Sequence, residues 1–211
     1  MATQGHQPRR TGLRERKKLR TRETIATTAL RLFAERGYDQ TTLDDIADAS
    51  DVSKRTIFSY YASKEDILFS DGPAVIDALE HALTDRPDGS TTVDALRTFV
   101  EQTALSTEHS KLQQSVVKGD ERLLAIQRAR SARAEWLIAA SIARDLGVAP
   151  DDIRAVMIAA AASAAFAAAR EKLFFEPDGR AESTQLLDEI LAFLQAGIDR
   201  IRAGQVLSGP G

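Results

Sequence analysis

The sequence predicts an all-α protein of about nine helices, in which an N-terminal three-helix helix-turn-helix domain precedes a larger helical domain. Apolar residues recur at the three- and four-residue spacing of a helix through most of the chain. The segments between these runs are short and hold Gly, Pro and Asp, which are typical of turns. Strand-like alternation of apolar and polar residues does not extend beyond about four positions. The 211 residues suffice for one large domain or two small ones.

The first helix is predicted over residues 19–36, because its apolar side chains share one helical face and Gly37 follows where a C-cap is expected. The face consists of Ile25, Ala29, Leu30, Phe33 and Ala34. A short second helix is predicted after Thr42, since a threonine can cap its start and acids occupy its first turn.

Two more serine caps predict the next helices. Ser53 precedes a third helix at residues 54–61, and Ser63 precedes a fourth. Gly72 and Pro73 should kink or end the fourth helix, because proline removes an internal hydrogen bond. Short helices joined by a tight turn form a helix-turn-helix unit. Later helices are predicted over residues 93–107, 111–118, 120–146, 151–175 and 182–202.

Charge is distributed unevenly along the chain. Residues 1–62 carry 12 Lys and Arg against 8 Asp and Glu, whereas the remainder carries 16 against 23. The net charge of −3 therefore conceals a basic N-terminal end on an acidic protein. Such an arrangement favours a polyanionic partner.

Several classes of function lack the residues that they need. The chain has no Cys, and His6, His81 and His109 are far apart in sequence, so we expect no metal site and no cofactor. It also has no glycine-rich phosphate loop and no Gly-x-Ser-x-Gly motif, so we do not expect an enzyme. The longest uncharged apolar stretch, residues 155–169, is shorter than the roughly 20 residues of a membrane span. Without a secretory signal, we expect a cytoplasmic protein with no membrane partner.

The most specific motif is the run TLDDIADASDVSKRTIFSYY at residues 42–61, followed by SKEDIL at residues 63–68. It resembles the DNA-binding domain of the TetR family of bacterial transcriptional regulators, because helix, cap, turn, second helix and Lys-Glu pair occur in the family's order. The resemblance implies a homodimer that binds a double-stranded operator and responds to a small-molecule effector of unknown identity. The corresponding division of the chain is a basic flexible arm (1–18), a helix-turn-helix domain (19–68), a ligand-binding and dimerisation domain (69–205) and a disordered tail (206–211).

The third predicted helix carries the candidate DNA contacts. Val52, Ile57 and Tyr61 can point inward, while the basic residues at its start point outward. Lys54 and Arg55 are predicted to read guanine O6 and N7 in the major groove, with Ser59 as a weaker base reader. Donors suited to phosphate oxygens are predicted at Thr42, Ser53, Thr56, Tyr60 and Lys64.

Two positions depart from the family's usual pattern. Asp51 stands at the turn position commonly held by Gly, which is tolerable because Asp adopts positive φ more readily than most residues. Phe58 stands where a tyrosine hydroxyl often contacts phosphate, and we expect it to pack in the core or against a sugar.

The basic residues of the predicted arm have two interpretations. They could enter an adjacent minor groove, or they could only strengthen the nonspecific attraction to phosphate. The residues concerned are Arg14, Arg16, Lys17, Lys18 and Arg20.

The last two long helices are predicted to dimerise. One is rich in alanine and the other carries an apolar stripe, and the resemblance implies a four-helix bundle about a twofold axis. Packing within one subunit only is the alternative. The predicted interface comprises Ala161, Ala165, Leu187, Ile190, Leu191, Leu194 and Ile198.

The middle helices are expected to enclose the effector. The predicted lining comprises Phe99, Arg133, Trp136, Leu137, Met157, Phe166 and Phe174. Family members with similar C-terminal halves imply an acyl-CoA-like ligand or another apolar anion, which suits an apolar tunnel with an arginine at its entrance. A repressor is the first interpretation, and a transcriptional activator or a DNA-binding protein without an effector are the alternatives.

Overall fold

The computed structural model describes residues 12–103, 108–175 and 180–207. In these ranges the chain is helical, without strands, and forms ten helices. They are α1 (Leu13–Arg36), α2 (Leu43–Ala49), α3 (Lys54–Phe58), α4 (Lys64–Leu68), α5 (Gly72–Thr84), α6 (Thr92–Thr103), α7 (Glu108–Val117), α8 (Glu121–Leu146), α9 (Ile153–Phe175) and α10 (Arg180–Leu207). The all-α fold class is confirmed.

The chain divides into two compact units, one ending at Ser70 and the other beginning at Asp71. The first unit contains α1 to α4, and the second contains α5 to α10. Residues 208–211 of the predicted tail and residues 1–11 of the predicted arm lie outside the described part of the chain. Residues 206 and 207, which were also predicted to belong to the tail, are the last residues of α10.

In the first unit, α1 packs against α2 and α4. The fully buried side chains of its core include Ile25, Leu30, Phe33, Ile46, Ile57, Ile67 and Leu68. Burial of each such side chain contributes about 1.5–3 kcal/mol, which explains how three helices of seven residues or fewer are held in place. Ala34, which was predicted on the inward face of α1, is exposed.

Helix α1 begins earlier than predicted. Leu13–Arg36 is one helix, so residues 13–18 are not a flexible arm. The residues there show no apolar periodicity, because residues 12–20 are all exposed and this part of the helix contacts solvent on every side. The basic residues of this segment therefore project from a helix.

The predicted fourth helix is two helices. α4 ends at Leu68, and α5 starts at Gly72 with Pro73 in its first turn, where proline costs no hydrogen bond. For this reason the described ranges contain ten helices rather than the predicted nine. α3 is also shorter than predicted, because the chain turns at Ser59 and Tyr60.

In the second unit, α8 and α9 form the central pair, and α5, α6 and α10 pack around them. The described core includes Leu83, Leu96, Ile142, Ala159 and Ala162. Four residues predicted to form the dimer interface are instead buried in this core, where other helices of the same protomer cover them. They are Ile190, Leu191, Leu194 and Ile198, which are between 0% and 8% exposed.

A buried ion pair closes one end of the second unit. The Arg86 guanidinium lies 2.5 Å from the Asp145 carboxylate, and the other carboxylate oxygen of Asp145 accepts from the backbone N–H of Thr92 at 2.7 Å. The Thr92 and Ser141 hydroxyls are hydrogen-bonded at 2.9 Å. Because both charges are largely buried, these hydrogen bonds compensate for part of their lost hydration.

None of the helices in the described ranges combines the length and the apolar character that a membrane crossing requires.

Candidate nucleic-acid interface

The candidate interface is built on the turn between α2 and α3. Thr42 and Asp45 form a capping box, in which the Thr42 side chain accepts from the Asp45 backbone N–H at 3.1 Å and the Asp45 carboxylate accepts from the Thr42 N–H at 2.8 Å. The hydrogen bonds from the side chain and backbone of Thr42 lower the pKa of Asp45. The start of α2 is thus fixed by local sequence.

The turn itself depends on Asp51, which has φ of 54°. Asp51 is the one non-glycine residue with positive φ in the described ranges, which confirms that aspartate is accommodated there in place of glycine. The Val52 N–H donates to the Ala47 carbonyl at 3.0 Å, and the Asp51 N–H to the Asp48 carbonyl at 3.3 Å. This is the hydrogen-bond pattern of a Schellman motif, which reverses the chain between the two helices.

Helix α3 presents its N-terminus to solvent. Ser53 caps it by accepting from the Thr56 N–H at 3.0 Å. Ile57 is 1% exposed and Tyr61 is 4% exposed, so the predicted inward position is confirmed for these two residues, while Val52 is half-buried. Lys54 and Arg55 are exposed on the other side.

The two predicted base readers differ in their surroundings. The Lys54 ammonium lies 2.8 Å from the Asp44 carboxylate of α2. Arg55 makes no ion pair with the described residues. Its guanidinium is therefore available to a bidentate acceptor such as a guanine edge.

The predicted phosphate donors are partly engaged already. The Thr42 hydroxyl donates to Asp45 at 2.5 Å, and the Ser59 hydroxyl donates to the Thr56 carbonyl at 2.7 Å. The Ser53 and Thr56 hydroxyls are 2.8 Å apart, and since one donates to the other, the pair retains a single O–H for a phosphate oxygen. Tyr60 is half-buried in the turn after α3.

Lys64 has a role in the fold that the sequence did not predict. Its half-buried ammonium donates to the carbonyls of Tyr38 at 2.7 Å and Thr41 at 2.9 Å, and it lies 4.2 Å from the Tyr38 ring centroid. Two of its three N–H groups thus hold the loop between α1 and α2. A phosphate contact would use the same ammonium.

Phe58 is not a core residue. Its side chain is 53% exposed at the end of α3, so the core half of its predicted role is wrong and packing against a sugar stays a prediction. The inward position is taken by its neighbour Ile57.

Tyr61, which follows α3, connects this part of the chain to α1. Its hydroxyl donates to the Arg22 carbonyl at 3.0 Å, and the Arg22 guanidinium lies 5.4 Å from its ring centroid. Burial raises the pKa of the Tyr61 phenol, against the lowering effect of its interactions with Arg22 and Ser70. The phenol is neutral at physiological pH and acts as a donor.

The residues predicted to bind the effector fall in different environments. Phe99 and Leu137 are buried in the core of the second unit, and Phe166 is half-buried against it. Trp136 is 60% exposed and Met157 58% exposed, so their side chains contact solvent on the protomer rather than lining an interior. Sequence reasoning could not separate these two groups, because apolar residues on α8 and α9 occur on every face.

Two other predicted effector residues complete the set. Arg133 is exposed, and its guanidinium lies 2.7 Å from the Glu80 carboxylate. The side chain of Phe174 lies outside the described part of the chain.

Sequence reasoning missed three polar groups. The Asp44 carboxylate contacts Lys54, as described above. On α7, Gln113 is 8% exposed and donates to the Asp71 carboxylate at 3.1 Å, while Asp71 makes no side-chain cap for α5. Also on α7, His109 has a buried Nε2 without a hydrogen-bond partner among the described residues. A buried histidine or glutamine gives no signal in an isolated sequence.

Comparison with known proteins adds two family matches. A family model described as bacterial regulatory proteins of the tetR family matches residues 25–70, which contain the interface described above. A second, described as the MftR C-terminal domain, matches residues 74–199, more than half of the chain.

A curated relative aligns with part of the chain. The HTH-type transcriptional regulator TcmR of Streptomyces glaucescens is 40% identical over 89 residues, which are 42% of this chain and 39% of TcmR. The chain spans about two fifths of the length of the curated relatives that it matches.

Solved structures share the fold over most of the chain. The complex of SmeT with triclosan, from Stenotrophomonas maltophilia, has a TM-score of 0.63 at 23% identity and covers 82% of this chain and 90% of SmeT. FadR of Thermus thermophilus, a transcriptional repressor in complex with lauroyl-CoA, has a TM-score of 0.56 at 25% identity and covers 83% and 94%. Because the two family models match successive parts of the chain, the chain belongs to the TetR family of bacterial transcriptional regulators, with a C-terminal domain of the MftR type.

Proposed function

We propose that the protein is a cytoplasmic repressor that binds a palindromic operator as a homodimer and leaves it when a small molecule binds the C-terminal unit. The observation that carries the proposal is the exposed N-terminus of α3. Lys54 and Arg55 contact solvent there, while Ile57 of the same helix is fully buried. A helix presented in this way fits the major groove of DNA.

In the proposed complex, Arg55 reads a guanine through O6 and N7, and Lys54 reads a neighbouring base. The Ser53–Thr56 pair donates its remaining O–H to a phosphate, and Phe58 packs against a sugar. The exposed basic residues at the start of α1 add attraction to the DNA backbone. The other predicted phosphate donors contribute mainly to the fold. Hydrogen bonds within the unit already engage Thr42, Ser59 and Lys64, so a phosphate contact would compete with these bonds. Tyr60 is half-buried.

The proposed dimer uses the outer faces of α9 and α10. The exposed face of α9 has the spacing of one helical side and consists of Ile153, Val156, Met157, Ala160, Ala161 and Ala164. Ile153 is 74% exposed and, on α10, Phe193 is 63% exposed. Large exposed apolar side chains in such numbers are typical of an interface. Leu187 and Ala165, which are half-buried, lie at its edge in this proposal.

The proposed effector is an apolar anion such as an acyl-CoA. The T. thermophilus FadR complex with lauroyl-CoA supports this choice, and the buried Nε2 of His109 is a polar group that a ligand could satisfy. We propose that the response passes through the connection after α4, where Gln113 of α7 binds Asp71 next to Gly72 and Pro73. A shift of α7 would then move the residue at which the second unit begins.

The test is selection of bound sequences from random duplex DNA, followed by titration of the selected duplex. We expect a palindrome, and we expect the double variant Lys54→Ala/Arg55→Ala to lose about 100-fold or more of its preference over random DNA, since each good base contact is worth about 1–3 kcal/mol. Lys111→Ala/Lys118→Ala removes the same charge from exposed positions of the second unit and should keep the preference. Binding that enriches no sequence and only follows salt concentration would contradict the proposal.

The effector is tested separately by thermal shift with acyl-CoAs and with uncharged aromatic compounds such as triclosan. A rise in Tm with lauroyl-CoA, together with release of the selected duplex, is the expected result. Stabilisation by the uncharged aromatics alone would contradict an anionic effector.

A further inference from the structure

An acidic side chain lies on the surface that faces DNA in the proposed function. Asp44 is the second residue of α2, and its carboxylate is 2.8 Å from the Lys54 ammonium, ten residues later on α3. Both side chains are well exposed, at 67% for Asp44 and 47% for Lys54. The pair therefore bridges the two helices at the position where base contacts are made.

Capping does not account for Asp44. The start of α2 is satisfied by Thr42 and Asp45, whose mutual hydrogen bonds form the complete capping box. A first-turn carboxylate does favour the helix dipole, but by only about 0.3–1 kcal/mol when exposed. Placing a second carboxylate here carries a cost for a DNA-binding protein, because it repels phosphates.

Because of the donor geometry of lysine, this repulsion acts on phosphate contacts more than on base contacts. An ammonium has three N–H donors, so Lys54 can keep its hydrogen bond to Asp44 and still donate to O6 and N7 of a guanine. A phosphate that approaches Lys54 instead brings its own negative charge towards Asp44. The carboxylate thus opposes phosphate contacts by Lys54 more than base contacts.

We propose that Asp44 is a specificity-determining residue, which positions Lys54 for a base edge and weakens its use as a general phosphate contact. The inference rests on the proposed operator binding. It assigns to Asp44 a share of the discrimination between operator and random DNA, although its carboxylate lowers the total attraction to DNA.

The experiment compares wild type, Asp44→Asn and Asp48→Asn for affinity to the selected operator and to random duplex of equal length. Asp48 is exposed on the same helix one turn later and makes no ion pair with the described residues, so its variant controls for charge alone. We expect Asp44→Asn to bind random DNA about fivefold more tightly with a smaller gain for the operator, so that the ratio falls, and Asp48→Asn to keep the ratio. Equal changes in the two variants would overturn the proposal.

A double-mutant cycle with Lys54→Ala separates positioning from general repulsion. If Asp44 acts through Lys54, then Asp44→Asn in the Lys54→Ala background leaves the ratio of operator to random affinity unchanged. An undiminished effect in that background would overturn the positioning role. Asp44→Glu, which keeps the charge, should restore most of the ratio, and circular dichroism with thermal melting confirms that each variant is folded.

The same data distinguish failure of this inference from failure of the proposed function. If wild-type protein enriches no operator, the proposed function fails. If it enriches an operator and Asp44→Asn leaves the ratio unchanged, only the role of Asp44 is overturned.

Discussion

The two units of the chain treat their apolar side chains differently. The described part of the first unit exposes the large apolar side chains of Leu13, Leu19 and Phe58, whereas α8, α9 and α10 expose those of Trp136, Ile153, Val156, Met157 and Phe193. In the first unit these side chains lie singly, but Ile153, Val156 and Met157 share one face of α9. The second unit has both a buried core and an exposed apolar surface. The difference shows that apolar residues at helical spacing can belong either to the core or to the surface of a unit.

The largest expected effect is a loss of stability in the second unit when its buried ion pair is removed. Arg86→Ala leaves the Asp145 carboxylate buried without its cation, so we expect a loss of about 3–5 kcal/mol in the free energy of unfolding. Chemical denaturation followed by circular dichroism measures it. Arg97→Ala is the matched control, since its ion pair with Asp188 is about half exposed and should contribute less than about 1 kcal/mol. Equal losses in the two variants would contradict the buried role of Arg86.

The next prediction uses two adjacent residues of α10 with opposite environments. Leu194 is 1% exposed and Phe193 is 63% exposed. Leu194→Ala should cost about 2–5 kcal/mol of stability through a cavity. Phe193→Ser should leave the protomer folded and weaken the proposed dimer, which sedimentation equilibrium measures. A Phe193→Ser protein that remains fully dimeric would place the interface elsewhere.

A smaller effect is expected at the connection between the units. Gly72→Ala meets no atom within 4 Å, so Gly72→Ala/Pro73→Ala can be made without a clash. With lauroyl-CoA as the probe, we expect this variant and Gln113→Ala to change the ligand-induced loss of operator affinity by about threefold or more, since such couplings are typically about 1–3 kcal/mol. Operator affinity without ligand should change less. An unchanged response in both variants would exclude this connection as the route of coupling.

The smallest expected effect concerns the turn of the first unit. Asp51 has φ of 54°, and glycine adopts this conformation without a Cβ penalty. Asp51→Gly should therefore stabilise the unit by up to about 1 kcal/mol, and Asp51→Ala should destabilise it by a similar amount. Thermal melting measures both, and a higher Tm for the alanine variant would contradict the strain at this position.

The first unit could be predicted from sequence in some detail because its information is local. Thr42, Ser53 and Ser63 each accept a backbone N–H three residues later, as their spacing predicted. Short helices form only where such caps and a few buried side chains agree. The unpredicted parts are those that depend on distant contacts, such as the Lys64 ammonium on the carbonyls of Tyr38 and Thr41.

The second unit was less predictable, for a physical reason. The apolar stripe predicted on α10 includes Leu191, which is fully buried, whereas Phe193 lies on the opposite side of the helix and is exposed. Periodicity indicates which side chains avoid water, but it does not indicate whether the covering surface belongs to the same protomer or to another molecule. The predicted effector residues show the same limit, since Trp136 and Leu137 are adjacent and have opposite exposures.

The hydrogen bond from Tyr61 to the Arg22 carbonyl spans 39 residues. Residues 40–70 therefore cannot be expected to keep their structure as an isolated peptide, because that peptide would lack the carbonyl acceptor and the apolar side chains that α1 provides. Transferring the proposed DNA-binding segment to another scaffold therefore requires that α1 is transferred with it, and the smallest transferable unit begins within that helix.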